Sequence, residues 1–236
     1  MGVLSRLSHL FTTFAPRVPL PKEPIDETDE VEQYDKGARL YIWPLYKHFV
    51  WKVLRRGIRG GRVLDIGTGP GLLPLEMANV KNNTFRIVGL DISEPMIRKA
   101  HENAKRAQVE GRVQFIIATA AHLPFLDNSL DLVVSNASFH HWTEPVEAFN
   151  EIERVTKKEG TIIMRDSRRL HPSLFWKTFM SLVTLLMNES HKKAWPEAIH
   201  AAYTMPEARE ILEKTRVRKC KVFIDLMFID FCIESV

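Results

Sequence analysis

Residues 63 to 71 read Val-Leu-Asp-Ile-Gly-Thr-Gly-Pro-Gly, an apolar run passing directly into a glycine-rich turn. Gly67, Gly69 and Gly71 let the backbone turn tightly and approach a ligand that a Cβ would obstruct. A helix starting at Leu72 would then point its first amides at that ligand. The next strand, Phe85-Arg86-Ile87-Val88-Gly89-Leu90, delivers Asp91, a carboxylate suited to accept hydrogen bonds from two ribose hydroxyls. Asp65 stands two positions before the first glycine. An acid there repels a pyrophosphate but receives an ammonium group, directly or through water; the alternative is that Asp65 only caps the turn. A strand, a glycine turn and a distal acid in this order bind a nucleoside. A dinucleotide places an apolar residue where Asp65 stands, so a ribose-bearing ligand with no phosphate and a zwitterionic tail fits better.

Two further groups of residues carry chemistry. Residues 135 to 142 read Ser-Asn-Ala-Ser-Phe-His-His-Trp, and imidazole, with an ordinary pKa of about 6.5, accepts a proton near neutral pH. His140 and His141 are therefore candidate bases or substrate-positioning groups, unless one packs structurally while Trp142 walls the ligand. Arg165-Asp166-Ser167-Arg168-Arg169 leaves a later strand at its ligand-facing end. Arg165 and Arg168 are candidates to hold a substrate carboxylate or phosphate; alternatively, Asp166 pairs with one arginine and the rest face solvent. The nine histidines are dispersed and no metal-ligand spacing occurs, so no metal site is expected.

Together these strings resemble the class I S-adenosylmethionine-dependent methyltransferases, small-molecule branch, over about residues 34 to 236. Leu64 to Gly71 is similar to their first motif, and Gly89-Leu90-Asp91-Ile92-Ser93 to their second. Ala120-Ala121-His122-Leu123-Pro124-Phe125 followed by Asp131 to Asn136 is similar to their third and to the strand after it. The resemblance implies S-adenosylmethionine as cofactor, with Asp65, Gly67, Thr68, Gly69 and Gly71 around its methionine end and Asp91 and Ile92 at its ribose. It adds Thr119 and Ala120 at the adenine, and Asn136 and Tyr34 closing the site. Thr119 departs from the pattern: many relatives place an acid there, and a hydroxyl accepts less strongly, unless Thr119 merely ends a strand. The implied activity is in-line methyl transfer to a small-molecule acceptor. No Asn/Asp-Pro-Pro-Tyr/Phe follows the fourth strand, and both cysteines, Cys220 and Cys232, lie far from the cofactor motifs. Three rivals remain: a methyltransferase acting on RNA or protein, a non-catalytic S-adenosylmethionine-binding module, and a nicotinamide-dependent oxidoreductase.

Positioning these residues requires alternating strands and helices. The patterns predict strands at 62–66, 85–90, 112–117, 130–135 and 160–165, with helices at 72–79, 94–107 and 145–156 and within 172–201. Helix 206–214 then leads to strands 217–224 and 227–234. The expected fold class is α/β, a doubly wound, mostly parallel seven-stranded sheet with an antiparallel C-terminal strand and an N-terminal helical lid. Asp230 is awkward in a strand covered on both faces. Residues 31–57 read as two helices bent near Pro44.

At 236 residues, 45% apolar and 26% charged, the chain suits one soluble domain, and no stretch approaches a membrane span. A net charge of +4 is no nucleic-acid signature. The division expected is residues 1–30, an amphipathic helix with a Pro-rich linker, and 31–236, the methyltransferase domain. The stripe of Val3, Leu4, Leu7, Leu10, Phe11 and Phe14 suits a lid, a targeting segment or a weak membrane contact. Free cysteines suit a cytoplasmic location, with organelle targeting or a peripheral membrane location as alternatives. The oligomeric state stays open.

Overall fold

The computed structural model describes residues 16–20, 27–169, 178, 181–182, 184–185, 187–217, 220–225 and 230–235. The apolar stripe at 3–14 and most of 170–186 lie outside them. Helix α1 (Thr28–Gly37) passes through a π-helical segment (Ala38–Ile42) into α2 (Trp43–Arg55). Pro44 sits at the second position of α2, where its missing N–H is tolerated but an uninterrupted helix from α1 is not. The bend expected near Pro44 is this π-helical junction.

Five parallel strands follow. β1 (Gly60–Ile66) leads to α3 (Leu72–Ala78), β2 (Thr84–Asp91) to α4 (Glu94–Arg106), and β3 (Val113–Ile117) crosses to β4 (Leu130–Asn136). A 3-10 turn (Phe139–His141) and α5 (Pro145–Val155) then lead to β5 (Thr156–Ser167). Caps set the boundaries: Ser93 accepts from the Met96 amide at the start of α4, and Pro145 opens α5. β5 begins directly at the end of α5, four residues earlier than expected, because Thr156 already pairs with Leu130 ahead of a register shift. After α6 (Glu189–Ala201) and α7 (Met205–Glu213), the chain closes with β6 (Cys220–Asp225) and β7 (Asp230–Ser235). Both final strands start about three residues later than expected. Asp230 is thereby the first residue of β7, at the strand's end rather than its covered middle.

Among the described residues the sheet has seven strands in the order β3-β2-β1-β4-β5-β7-β6. The first five pair in parallel, and β7 runs antiparallel to both β5 and β6. Adjacent residues of β1 feed opposite cores. Val63 packs with Phe49, Val53, Phe85 and Ile87 on one face, whereas Leu64 and Ile66 pack with Leu90, Phe149, Ile152 and Ile162 on the other. The strand order reverses between β1 and β4, so a crevice opens at their carboxyl ends. Among the described residues no helix is long and apolar enough to cross a membrane.

Candidate active site

A small open cleft lies at this crevice, lined by Tyr34, Tyr46, Asp65, Gly67, Thr68, Gly69, Pro70, Leu73, Asn136 and Ala137. The glycine turn forms its floor. The Thr68 amide donates to Leu90 O (2.8 Å), and its hydroxyl donates to Asp65 Oδ2 (2.7 Å), which locks the turn between β1 and β2. Gly67 has φ +69°, and a Cβ there would fall inside the Ser138 side chain. Gly69 has φ +52°, and a Cβ there would meet nothing within 4 Å. At Gly69, then, the space is open.

Asp91 braces the turn from the end of β2, outside the lining of the cleft. Its Oδ2 accepts from the Gly69 amide (2.9 Å) and its Oδ1 from the Ser93 amide (3.0 Å), which fixes the carboxylate and leaves further lone pairs for hydroxyls. Burial raises its pKa, against the pull of those amides. Asp65 is only 2% exposed. Burial pushes its carboxyl up to about 7; the Thr68 hydroxyl opposes the rise and the Asp91 charge adds to it. A desolvated acid that accepts from a hydroxyl suits a cationic ligand group.

Helices α1 and α2 roof the cleft through Tyr34 and Tyr46. Burial, followed by the Asp91 charge, moves the Tyr34 hydroxyl to about 12, and burial carries Tyr46 well above its ordinary value. Tyr34 stacks on His191 of α6 at 5.2 Å between ring centroids. Its neighbour Asp35 accepts from Asn103 Nδ2 (2.9 Å), the same amide nitrogen that donates to Pro70 O (2.9 Å). α1, α4 and the glycine turn are thus fastened at one buried point. Sequence reasoning gave Asp35 and Asn103 no role, since their meeting depends on how α1 packs on α4.

The sheet register sets Asn136 beside Arg165. Arg165 is buried and donates to Asn136 Oδ1 (2.9 and 2.5 Å) and to Leu45 O (3.2 Å). It was expected to hold a substrate anion; it lies instead behind the cleft wall, because its guanidinium is taken up inside the protein. With Oδ1 turned to Arg165, Asn136 has its amide NH2 left for a ligand. Arg168 is half-buried just past β5, and burial lowers its pKa. Neither arginine lines the cleft.

Asp166 was paired with an arginine in one expectation and belongs to His140 in the structure. His140 Nδ1 lies 2.5 Å from Asp166 Oδ1, and the His140 amide donates to Oδ2 (3.2 Å). Both side chains are buried. The carboxylate fixes the Nδ1–H tautomer and leaves Nε2 as the acceptor. The pairing follows from register: β4 and β5 end side by side, so the turn after Asn136 must meet the residue after Arg165. His141 keeps an exposed edge yet is crowded by protein on its other sides. That desolvation, then the ring of His140 at 4.3 Å and the Arg17 guanidinium, push its pKa down. His141 is therefore a poor base near neutral pH. Trp142 donates to Ser138 Oγ (2.9 Å) and packs on Phe139, outside the cleft lining.

Arg17, from the described stretch 16–20, ties this turn down. Its Nε donates to Ala201 O (2.6 Å) and its NH2 to His140 O (2.8 Å), while the guanidinium lies 4.2 Å over the Tyr203 ring. Ile92, Thr119 and Ala120 stand at the ends of β2 and β3, outside the cleft lined by Asp65. Ile92 is 49% exposed, an apolar side chain turned outward beside Asp91.

The methyltransferase-domain family matches the chain over residues 59–216. Over 107 residues, 45% of this chain and 39% of that protein, it is 35% identical to the 27-O-demethylrifamycin SV methyltransferase of Amycolatopsis mediterranei. It is 23% identical to the ubiquinone/menaquinone biosynthesis C-methyltransferase UbiE of Geotalea uraniireducens over 92% of this chain and 90% of that protein. Several other relatives match over about half their own length. Among solved structures, a protein assigned as an S-adenosyl-L-methionine-dependent methyltransferase of Methanococcus maripaludis superposes with a TM-score of 0.72. The two share 24% identity over 92% of this chain and 96% of the other. The glycine turn, the paired acids and the reversed last strand thus have their explanation: the chain belongs to the S-adenosylmethionine-dependent methyltransferase domain family.

Proposed function

We propose that the protein transfers the methyl group of S-adenosylmethionine to a small-molecule acceptor that arrives with a proton on its nucleophile, and that His140 removes this proton. The observation that carries the reading is the buried His140–Asp166 pair, three residues beyond the cleft wall at Ala137. The two relatives named for their chemistry perform an O-methyl and a C-methyl transfer. An oxygen or carbon nucleophile gains reactivity on losing its proton, whereas a neutral amine needs no such help, so a histidine base suits both.

The residues present fit the cofactor. When bound, S-adenosylmethionine supplies an electrophilic methyl group on a positively charged sulfur, which keeps the electron pair as its bond to carbon breaks. Asp65, buried beside the glycine turn, would receive the ammonium group. Asp91 would accept from the ribose, and Gly69 leaves the space for the approach. Ile92, Thr119 and Ala120 would flank the adenine, and Tyr34 and the Asn136 amide would close the methionine end. His140 Nε2 takes the acceptor's proton, and the Asp166 carboxylate stabilises the imidazolium that results. Helices α1, α2 and α6 exclude water, so alignment supplies most of the remaining acceleration. A cytoplasmic location suits Cys220, whose thiol is free and raised to about 11 by burial.

The test is methyl incorporation from labelled S-adenosylmethionine into a pool of hydroxylated small molecules, comparing wild type with His140→Asn. Labelled product that depends on His140 supports the reading. Incorporation only into RNA or protein, or full turnover by the variant, overturns it.

A further inference from the structure

The chain's positive charge is concentrated in one place. Between Asp35 and Asp65 there are eight Lys and Arg and no Asp or Glu, against totals of 33 basic and 29 acidic residues. The rest of the protein is therefore net acidic, and the surplus belongs to the α1–α2 junction, α2 and the start of β1. Helix α2 divides this segment by face. Tyr46, Phe49, Val50 and Val53 are buried. The opposite face carries Trp43, Lys47, Trp51 and Arg55 at four-residue spacing, one stripe of alternating indole and cation. Trp51 is 48% exposed, and Leu40, about one turn upstream of Trp43, is 69% exposed. Lys47 lies 5.7 Å over the Trp43 ring and Arg55 4.9 Å over that of Trp51, so the cations stand beside the indoles. Lys52 and Arg56 turn away to Glu234 and belong to the fold.

We propose that this outer face of α2 is a docking surface for an anionic lipid bilayer. The charge is complementary to acidic headgroups, and the exposed Leu40 and Trp51 have the amphipathic form that settles at the headgroup–acyl boundary. A nucleic acid would use the cations but would leave Leu40 unexplained. The location gives the surface a purpose. The inner face of the same helix contributes Tyr46 to the cleft, so a docked protein would bring its lid against the membrane, where an apolar acceptor dissolves. The docking surface stands whether or not the acceptor assignment above is correct, because its test does not use turnover.

The experiment is co-sedimentation of the full chain with phosphatidylcholine vesicles, with and without phosphatidylglycerol. Wild type should sediment only with the phosphatidylglycerol vesicles, and salt should release it. Lys47→Gln with Arg55→Gln should lose roughly five-fold in partitioning per charge, roughly thirty-fold for the pair. Trp51→Ser should weaken binding but keep the salt dependence. Because these side chains are exposed, affinity for S-adenosylhomocysteine, read by calorimetry, should match wild type and certify the fold. Wild type that ignores phosphatidylglycerol overturns the proposal. So does a double variant that binds as wild type does, which would transfer the contact to residues 3–14. Binding to an oligonucleotide but not to vesicles overturns it as well.

Discussion

In the role proposed for it, Asp65 should make the cofactor affinity depend on pH, in a direction and window set by its surroundings. Its carboxyl ordinarily titrates near 3.8, and burial holds it at about 7 in the ligand-free fold. A ligand ammonium favours only the ionised form. At about pH 6 the group is about nine-tenths protonated, so binding must first expel that proton, at about 1.4 kcal/mol per pH unit below the pKa. The dissociation constant for S-adenosylhomocysteine should therefore weaken about tenfold per unit as pH falls below about 7, and level off above it. Titration calorimetry in two buffers of different ionisation enthalpy would show about one proton released per ligand at the acidic end and few above neutrality. Asp65→Asn should bind weakly with no such slope. A wild-type affinity flat across the window, or a slope that survives in Asp65→Asn, would refute the assignment of Asp65 to the ammonium.

The same shift bears on stability. Because the folded pKa of Asp65 lies above its unfolded value, ionisation opposes folding, and stability is lost as pH rises through about 7. Asp65→Asn should thus raise the melting temperature of the ligand-free protein at about pH 8 while losing affinity, which differential scanning calorimetry would read. Gly69→Val should abolish cofactor binding, since its side chain would occupy the ligand's space at a φ of +52°, with far-ultraviolet circular dichroism nearly unchanged; native affinity would make the turn purely structural. His140→Asn should cost about 10²–10⁴ in turnover at unchanged cofactor affinity. Asp166→Asn should follow it and His141→Asn should not; equal losses at both histidines would remove the distinction drawn from their environments. Arg17→Ala should speed hydrogen exchange at residues 138–142 and 200–203 without changing cofactor affinity, with Arg17→Lys intermediate because it restores the charge but not the fork. Unchanged exchange would mean that the Arg17 contacts do not hold the turn.

The cofactor half of the site was legible because its chemistry is local. Asp65 and the glycines occupy seven consecutive positions, and Asp91 ends the adjacent strand, so strand and turn patterns place them together. The reversed last strand was legible from the short link between two apolar runs. The acceptor half depends on contacts across the sheet. The His140–Asp166 pair requires knowing that β4 and β5 are neighbours in a given register, and without it Asp166 looked like a partner for the arginines around it. Arg165 was misjudged for the same reason: its place at a strand end suggested the ligand side, but Asn136 opposite it takes its guanidinium inward. Arg17 lies more than a hundred residues from His140 in a proline-rich stretch, where no periodicity announces a contact. Strand starts shifted by three or four residues because apolar patterning does not register where pairing begins.

The costly features of this fold gather at the crevice rather than being spread evenly. Among the described residues four non-glycine residues have positive φ: Asn82, Gln108, Asn128 and Ala137. Asn82, Gln108 and Asn128 occupy turns between elements, and asparagine tolerates that conformation because its side chain can bond locally. Ala137 has no such compensation; it lines the cleft at φ +55°, and its amide donates to Arg165 O (2.9 Å). The strain there is of the order of 1–2 kcal/mol. Two residues later the chain enters the turn that presents His140, so the left-handed Ala137 is what swings the chain off the end of β4 toward Asp166. Asp65, a desolvated acid, adds a second local cost at the neighbouring strand end. Both sit at the reversal of strand order, between cores packed on the two faces of the sheet. Burial on both faces stabilises β1 and β4 enough to hold their ends in conformations that neither end would adopt alone.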